Sequence, residues 1–217
     1  MKIKMIKKIA LRLLRQTNLI ALYELKKSSY LSENGWFNSF ATKQSISADG
    51  QPLPWMTYPL VDFIIPRISN NLSVAEYGSG GSTIWWASKV KDVFAVEGDK
   101  FWYRKISKNL PINATIHFQS SLHKDKYAGA IIKSNKKYDI IVIDGRHRVR
   151  CSFVAVKQLT SGGVIIWDNT ERKEYQTGID LLKRSGFKQI QFVGMSPINT
   201  YKSETSVFYK KNNCLII

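Results

Sequence analysis

Four acidic residues stand where apolar runs stop. Glu76 lies at the end of Val74-Ala75, Glu97 ends DVFAVE, Asp144 ends YDIIVID and Asp168 ends GVIIWD. The first is followed by Tyr77-Gly78-Ser79-Gly80-Gly81, and a helical pattern then begins at Ser82 or Thr83. Glycines at these places let the backbone turn tightly and approach a ligand. The helix start that follows offers unpaired N–H groups. Such a strand–turn–helix receives a nucleotide-type ligand. Glu97 falls about twenty residues beyond the turn, where a carboxylate can accept hydrogen bonds from both ribose hydroxyls of a nucleoside. A dinucleotide fits poorly, because the third glycine of G-x-G-x-x-G would fall at Thr83. A carboxylate at Glu76 would also repel a pyrophosphate, whereas it suits a ligand with a cationic amino or sulfonium end.

The acids need a scaffold that brings them together, and the alternation along the chain supplies one. Strands are expected over 73–77, 92–97, 114–118, 138–144, 163–168, 188–193 and 205–210. Helices are expected over 57–68, 82–91, 100–109, 149–159 and 175–185, with a basic stretch of weak helical character after the third strand. The runs 138–144 and 163–168 are continuously apolar, as in strands buried on both faces of a parallel sheet. The pattern predicts an α/β fold: a Rossmann-like, doubly wound, mostly parallel seven-stranded sheet with an antiparallel last strand. All four acids then share one rim, at the carboxyl ends of the strands, above the glycine turn.

The length of 217 residues suits one domain with a full core and an N-terminal appendage. The hydrophobic content of 44% excludes a disordered chain. A formal net charge of +17 points to anionic surroundings: membrane headgroups, nucleic acid or an acidic substrate. Cys151 and Cys214 form no framework and no metal spacing, which is the usage of a reducing cytoplasm. No run reaches the roughly 20 apolar residues of a membrane span. Residues 1–27 read as a basic amphipathic helix, with Ile3, Ile6, Ala10, Leu13, Leu14 and Thr17 at helical spacing among lysines and arginines. Arg12 and Arg15 interrupt any signal-peptide core, and no small-residue cleavage site follows. Such a helix can lie on the anionic inner face of a membrane, or pack on the domain or on a second subunit in a homodimer. Residues 28–56 are turn-rich and aromatic, an irregular lead-in expected to cover the site, and 57–217 form the main domain.

The segment Glu76-Tyr77-Gly78-Ser79-Gly80 resembles the first motif of class I S-adenosylmethionine-dependent methyltransferases, E/D-x-G-x-G, with Ser82 where that family often has a third glycine. The resemblance spans roughly residues 57–210. It implies that Glu76 and the turn, with Gly78, Ser79, Gly80 and Ser82, hold the methionine end of S-adenosylmethionine, that Glu97 binds the ribose, and that Ser121 borders the adenine. Asp144 also falls among the cofactor-binding residues. The strand ends Asp144 and Asp168-Asn169 are similar to those of metal-dependent catechol and caffeoyl-CoA O-methyltransferases. That likeness implies a magnesium site on Asp144, Asp168 and Asn169. Where the family has a catalytic lysine, three residues after the first aspartate, this chain has His147, a residue able to take a hydroxyl proton near neutral pH.

The fourth strand ends Asp144-Gly145-Arg146-His147, without the (N/D)-P-P-(Y/F) motif of nucleobase amine methyltransferases. Nucleic acid is therefore the less favoured acceptor. Arg146 and Arg148 suit a phosphate or carboxylate on a substrate. The Asp-Gly-Arg segment with the Asp-Asn strand also looks like bacterial methyltransferases of surface-polysaccharide biosynthesis. The expectation is thus an O-methyltransferase with His147, Asp144 and Asp168 as catalytic residues, acting on a hydroxyl of an anionic small molecule or glycan. An RNA methyltransferase, and a non-catalytic nucleic-acid- or membrane-binding protein on the same scaffold, are the alternatives.

Overall fold

The computed structural model describes residues 17–217 together with Lys4, Met5, Arg12 and Leu14. Of the helix expected over 1–27, residues 1–3, 6–11, 13, 15 and 16 lie outside the described residues. Its described end is α1 (Leu19–Lys27), with Lys26 and Lys27 in its last turn and Leu22 and Tyr23 exposed. The lead-in is less irregular than its composition suggests: it contains α2 (Tyr30–Glu33) and α3 (Trp36–Thr42). Trp36 anchors it, donating its indole N–H to the Asn199 carbonyl at 2.8 Å. No helix among the described residues is long and apolar enough to cross a membrane.

From residue 58 the chain alternates. The order is α4 (Tyr58–Ile64), β1 (Ser73–Tyr77), α5 (Gly81–Ala87), β2 (Asp92–Glu97), α6 (Lys100–Ile106), β3 (Ala114–Phe118), α7 (Lys124–Gly129), β4 (Tyr138–Ile143), α8 (Arg148–Gln158), β5 (Leu159–Asp168), α9 (Gln176–Arg184), β6 (Lys188–Gly194) and β7 (Ser203–Tyr209). The strands form one seven-stranded sheet in the order β3-β2-β1-β4-β5-β7-β6. The first five are parallel, and β7 inserts antiparallel between β5 and β6. The mostly parallel sheet with an antiparallel last strand is the architecture expected.

Strand alternation explains why the central runs are apolar throughout. Val74, Val93 and Ile140 pack on one face with Ile64 and Trp86, while Ala75, Phe94 and Ile141 pack on the other with Cys151 and Leu182. Both faces are covered by helices, so neither parity can be polar. Two boundaries differ from expectation. The helix after residue 57 tightens into a 3-10 turn at Ile65–Arg67, where Pro66 has no N–H to continue the ladder. Strand β5 starts at Leu159 rather than 163, because Leu159 pairs with Tyr138 across a register shift that Gly162 and Gly163 accommodate.

Candidate functional site

The parallel register aligns the carboxyl ends of β1, β2 and β4, with Glu76 beside Ala95 and Val142. Above these ends lies a cleft of about 440 Å³ lined by Trp55, Glu76 to Ser79, Ser82, Glu97, Trp102, Tyr127, Asp144 to Arg146 and Arg148. Glu76, Gly78, Ser79, Ser82, Glu97 and Asp144, expected together from sequence, do meet in it. Gly80 lies just outside, in a neighbouring hollow with Gly81. Gly78 has φ +99°, a left-handed conformation that only glycine adopts without strain, and it turns the chain from strand toward helix.

Glu97 is held ready for a ligand. One carboxylate oxygen accepts the Ser79 hydroxyl at 2.7 Å, and the other accepts the Asp99 N–H at 2.8 Å. Each oxygen keeps a lone pair for a partner in the cleft. Asp99 in turn caps α6 by accepting the Trp102 N–H at 2.7 Å, and the Trp102 indole donates to the Ser79 carbonyl at 2.6 Å. Ser79, Glu97, Asp99 and Trp102 thus tie the glycine turn to the end of β2.

Glu76 is only 2% exposed. Its carboxylate accepts the Thr83 hydroxyl at 2.7 Å, and that hydroxyl accepts the Gly80 N–H at 3.1 Å. Burial pushes the Glu76 carboxyl up to about 7, against the hydrogen bonds from Thr83 and Ser82. A buried acid of this kind is poised for a cation.

Arg148 decides the other half of the rim. Its Nε–H donates to the Gly145 carbonyl at 3.0 Å. One Nη donates to the Asp168 carbonyl at 2.6 Å and to the Asn169 side-chain oxygen at 3.1 Å. The other donates to the Asp144 carbonyl at 3.0 Å and to its carboxylate at 2.7 Å. A guanidinium has five N–H donors, and all five are committed. Arg148 therefore has no donor left for a substrate, and its expected role as a substrate contact is corrected to an internal one. The magnesium set is corrected for the same reason: guanidinium N–H groups occupy Asp144 and Asn169 and lie beside Asp168, whose carboxylate is 3.9 Å away. Among the described residues no group of three His, Cys, Asp or Glu side chains is arranged to hold a metal ion.

Asp168 is buried, its carboxylate accepting the Thr205 hydroxyl at 2.5 Å. Burial and the adjacent Asp144 raise its carboxyl well above the ordinary range. Asp144 is raised too, by burial, against the opposing charges of Arg148 and Arg172. One Asp144 oxygen holds Arg148, and the other accepts no hydrogen bond from the described residues. Asp144 borders both the cleft and a second hollow of about 420 Å³ lined by Trp55, Asn169, Glu171, Arg172, Ser196 and Tyr201, among others.

His147 and Ser121 leave the expected constellation. His147 takes φ +51°, a left-handed turn into α8, and its Nε2–H donates to the Ser121 carbonyl at 2.6 Å. The pair lies beyond Gly98 and Tyr127, and neither residue lines the cleft of Glu76 and Glu97. The turn sends the His147 ring outward while Arg148 points in, so a role for His147 as base at the rim is not supported by its position. Arg146, by contrast, lines the cleft, and it also lines a cationic hollow of about 570 Å³ that His147 shares with Lys124, Arg148, Arg150, Arg172 and Glu174. Trp55 lines the cleft from the lead-in, whose aromatics were expected to cover the site; sequence reasoning missed Trp102 and Tyr127, which line it from α6 and α7 and carried no signal beyond aromatic character.

No protein-family model and no curated protein matches the chain. Solved structures do. Precorrin-6y C5,15-methyltransferase from Geobacter metallireducens superposes with a TM-score of 0.56 at 14% identity, over 70% of this chain and 87% of that one. Precorrin-8w decarboxylase from Methanobacterium thermoautotrophicum gives 0.51 at 16% identity, over 70% and 88%. An rRNA methylase from Streptococcus thermophilus gives 0.50 at 14% identity, over 69% and 92%. The chain has the Rossmann-like fold of these three proteins. At these identities the likeness is one of architecture, and the site must speak for the chemistry.

Proposed function

We propose that the protein is an S-adenosylmethionine-dependent methyltransferase. The observation that carries this reading is the pre-set Glu97 carboxylate, fixed by Ser79 and the Asp99 N–H at the edge of a cleft whose floor is the buried Glu76. A bidentate acid suits a ribose diol, a buried acid suits an amino or sulfonium end, and the glycine turn lets both be approached. When bound, S-adenosylmethionine supplies a methyl group on a sulfonium sulfur, which an acceptor oxygen displaces in line. The protein's part is alignment and proton removal. The unengaged oxygen of Asp144, where the cleft meets the second hollow, supports the reading of Asp144 as the group that takes the acceptor's proton.

The acceptor reading is a hydroxyl on an anionic or sugar-containing molecule, such as one used in surface-polysaccharide or glycolipid synthesis. Two features support it: the hollow beside Asp144 carries polar and aromatic side chains, and Arg146, whose side chain has no partner among the described residues, faces the cationic hollow. The exposed Leu22 and Tyr23 of α1 with Lys26 and Lys27 support contact with an anionic membrane surface.

Calorimetry with S-adenosylhomocysteine tests the donor site: micromolar binding that Glu97→Ala weakens is expected, and no binding by the folded protein overturns the reading. Radiolabelled methyl transfer to a glycolipid extract against total RNA tests the acceptor.

A further inference from the structure

The metal set does not fit this rim, and something else neutralises its acids. We infer that Arg148 is a resident cation that replaces a divalent ion between the ends of β4 and β5, so that the rim excludes such ions while the guanidinium is in place. The inference concerns the cation alone and stands whether or not the donor reading does.

Two carboxylates, Asp144 and Asp168, approach one another here, and Asp168 is buried. Burying a carboxylate such as Asp168 beside a second acid favours a counter-charge nearby. Arg148 supplies one that is permanent, since a guanidinium does not deprotonate in a protein. Its side chain is only 11% exposed and begins at the first residue of an eleven-residue helix. It also lies over the Tyr175 ring, 5.6 Å from the centroid. These contacts fix it in place. Its N–H groups engage one oxygen of Asp144 and the side-chain oxygen of Asn169, so the guanidinium stands between the groups a metal would bridge, and its charge repels an incoming cation. Magnesium requires near-octahedral oxygen ligands at about 2.0–2.1 Å, so binding would have to displace the Arg148 hydrogen bonds to Asp144 and Asn169.

Arg148 is thus a positioning residue: it holds one oxygen of Asp144 and leaves the other free toward the cleft. Removing it should turn the same oxygens into a metal site, a readout that a merely structural role would not produce.

Mn2+ uptake, followed by the loss of the free-ion electron paramagnetic signal, tests this on full-length protein. Wild type is expected to take up no Mn2+ at this rim, and its Tm should not move when Mn2+ is added or chelator is present. Arg148→Ala is expected to have a lower Tm, to take up one Mn2+, and to regain part of that Tm with Mn2+. The double variant Arg148→Ala/Asp168→Asn should lose the uptake. One equivalent bound by wild type and lost in Asp168→Asn would overturn the inference, as would a folded Arg148→Ala that binds none. Should Arg148→Ala fold only with Mn2+, the inference is supported; should it not fold at all, the wild-type and Asp168→Asn titrations decide alone.

Discussion

The Ser79 hydroxyl lies 2.7 Å from a carboxylate oxygen of Glu97 and joins the glycine turn after β1 to the end of β2. The contact sets the direction of the carboxylate before any ligand arrives, so the cost of ordering it on binding is small. Glu97→Ala should weaken S-adenosylhomocysteine by roughly 10- to 100-fold, a net loss of about 1.4–2.8 kcal/mol for the hydrogen bonds to a charged acceptor. Ser79→Ala should cost only about 5-fold, since it loosens the acid without removing it. Isothermal titration measures both; equal affinity for wild type and Glu97→Ala would sink the ribose assignment.

Glu76 gives a pH dependence with a defined sign. Its carboxyl rises from an ordinary 4.5 to about 7 in the folded protein because it is buried. The folded state therefore holds this proton more tightly than the unfolded one, and the stability it contributes falls as pH rises between those values, then levels off. A cationic ligand end prefers the ionised acid, so donor affinity should climb as pH passes through about 7, with proton release below it. Glu76→Gln should flatten the affinity profile and abolish the proton release. Calorimetry at pH 6 in buffers of different ionisation enthalpy reads the released proton directly.

The base at the rim separates two readings kinetically. Asp144→Asn should lower kcat by about 100-fold or more, as for loss of a general base. His147→Ala, whose ring is turned onto Ser121, should change kcat less than about 3-fold. A large loss in His147→Ala with Asp144→Asn near wild type would reverse the assignment. Initial rates on whichever acceptor extract takes up radiolabelled methyl provide the measurement.

Glycines packed into the scaffold make a steric test. A Cβ on Gly145 would meet the Tyr127 hydroxyl at 2.2 Å and the Gly78 nitrogen at 2.8 Å, at the foot of the cleft. One on Gly178 would meet the Trp167 ring at 2.4 Å, behind the sheet. Both alanine variants should lose about 1–3 kcal/mol and show a lower Tm by differential scanning calorimetry. Only Gly145→Ala should also lose donor affinity, because only that strain reaches the glycine turn. Unimpaired binding in Gly145→Ala would show that the cleft tolerates more than this geometry allows.

The sequence by itself determined the sheet and which residues meet in the cleft of Glu76 and Glu97. Short β-branched apolar runs such as 140–143 read as doubly buried strands in an alternating chain, and strand ends fall on one rim by topology, so Glu76, Ser79 and Glu97 were legible from position alone. Those residues act close to where the backbone puts them, a step or two from a strand end. The acceptor half depended on side-chain direction. Whether Arg148 or His147 faces the rim is set by a left-handed turn at His147, and whether Asp144, Asp168 and Asn169 hold a metal depends on a guanidinium reaching across from α8. Spacing cannot encode either, because residue types that attract a cation from solvent attract one from the chain equally well. Only the tertiary structure decided which cation it was: the arginine arrives already desolvated and anchored, and its guanidinium stands where the ion would sit.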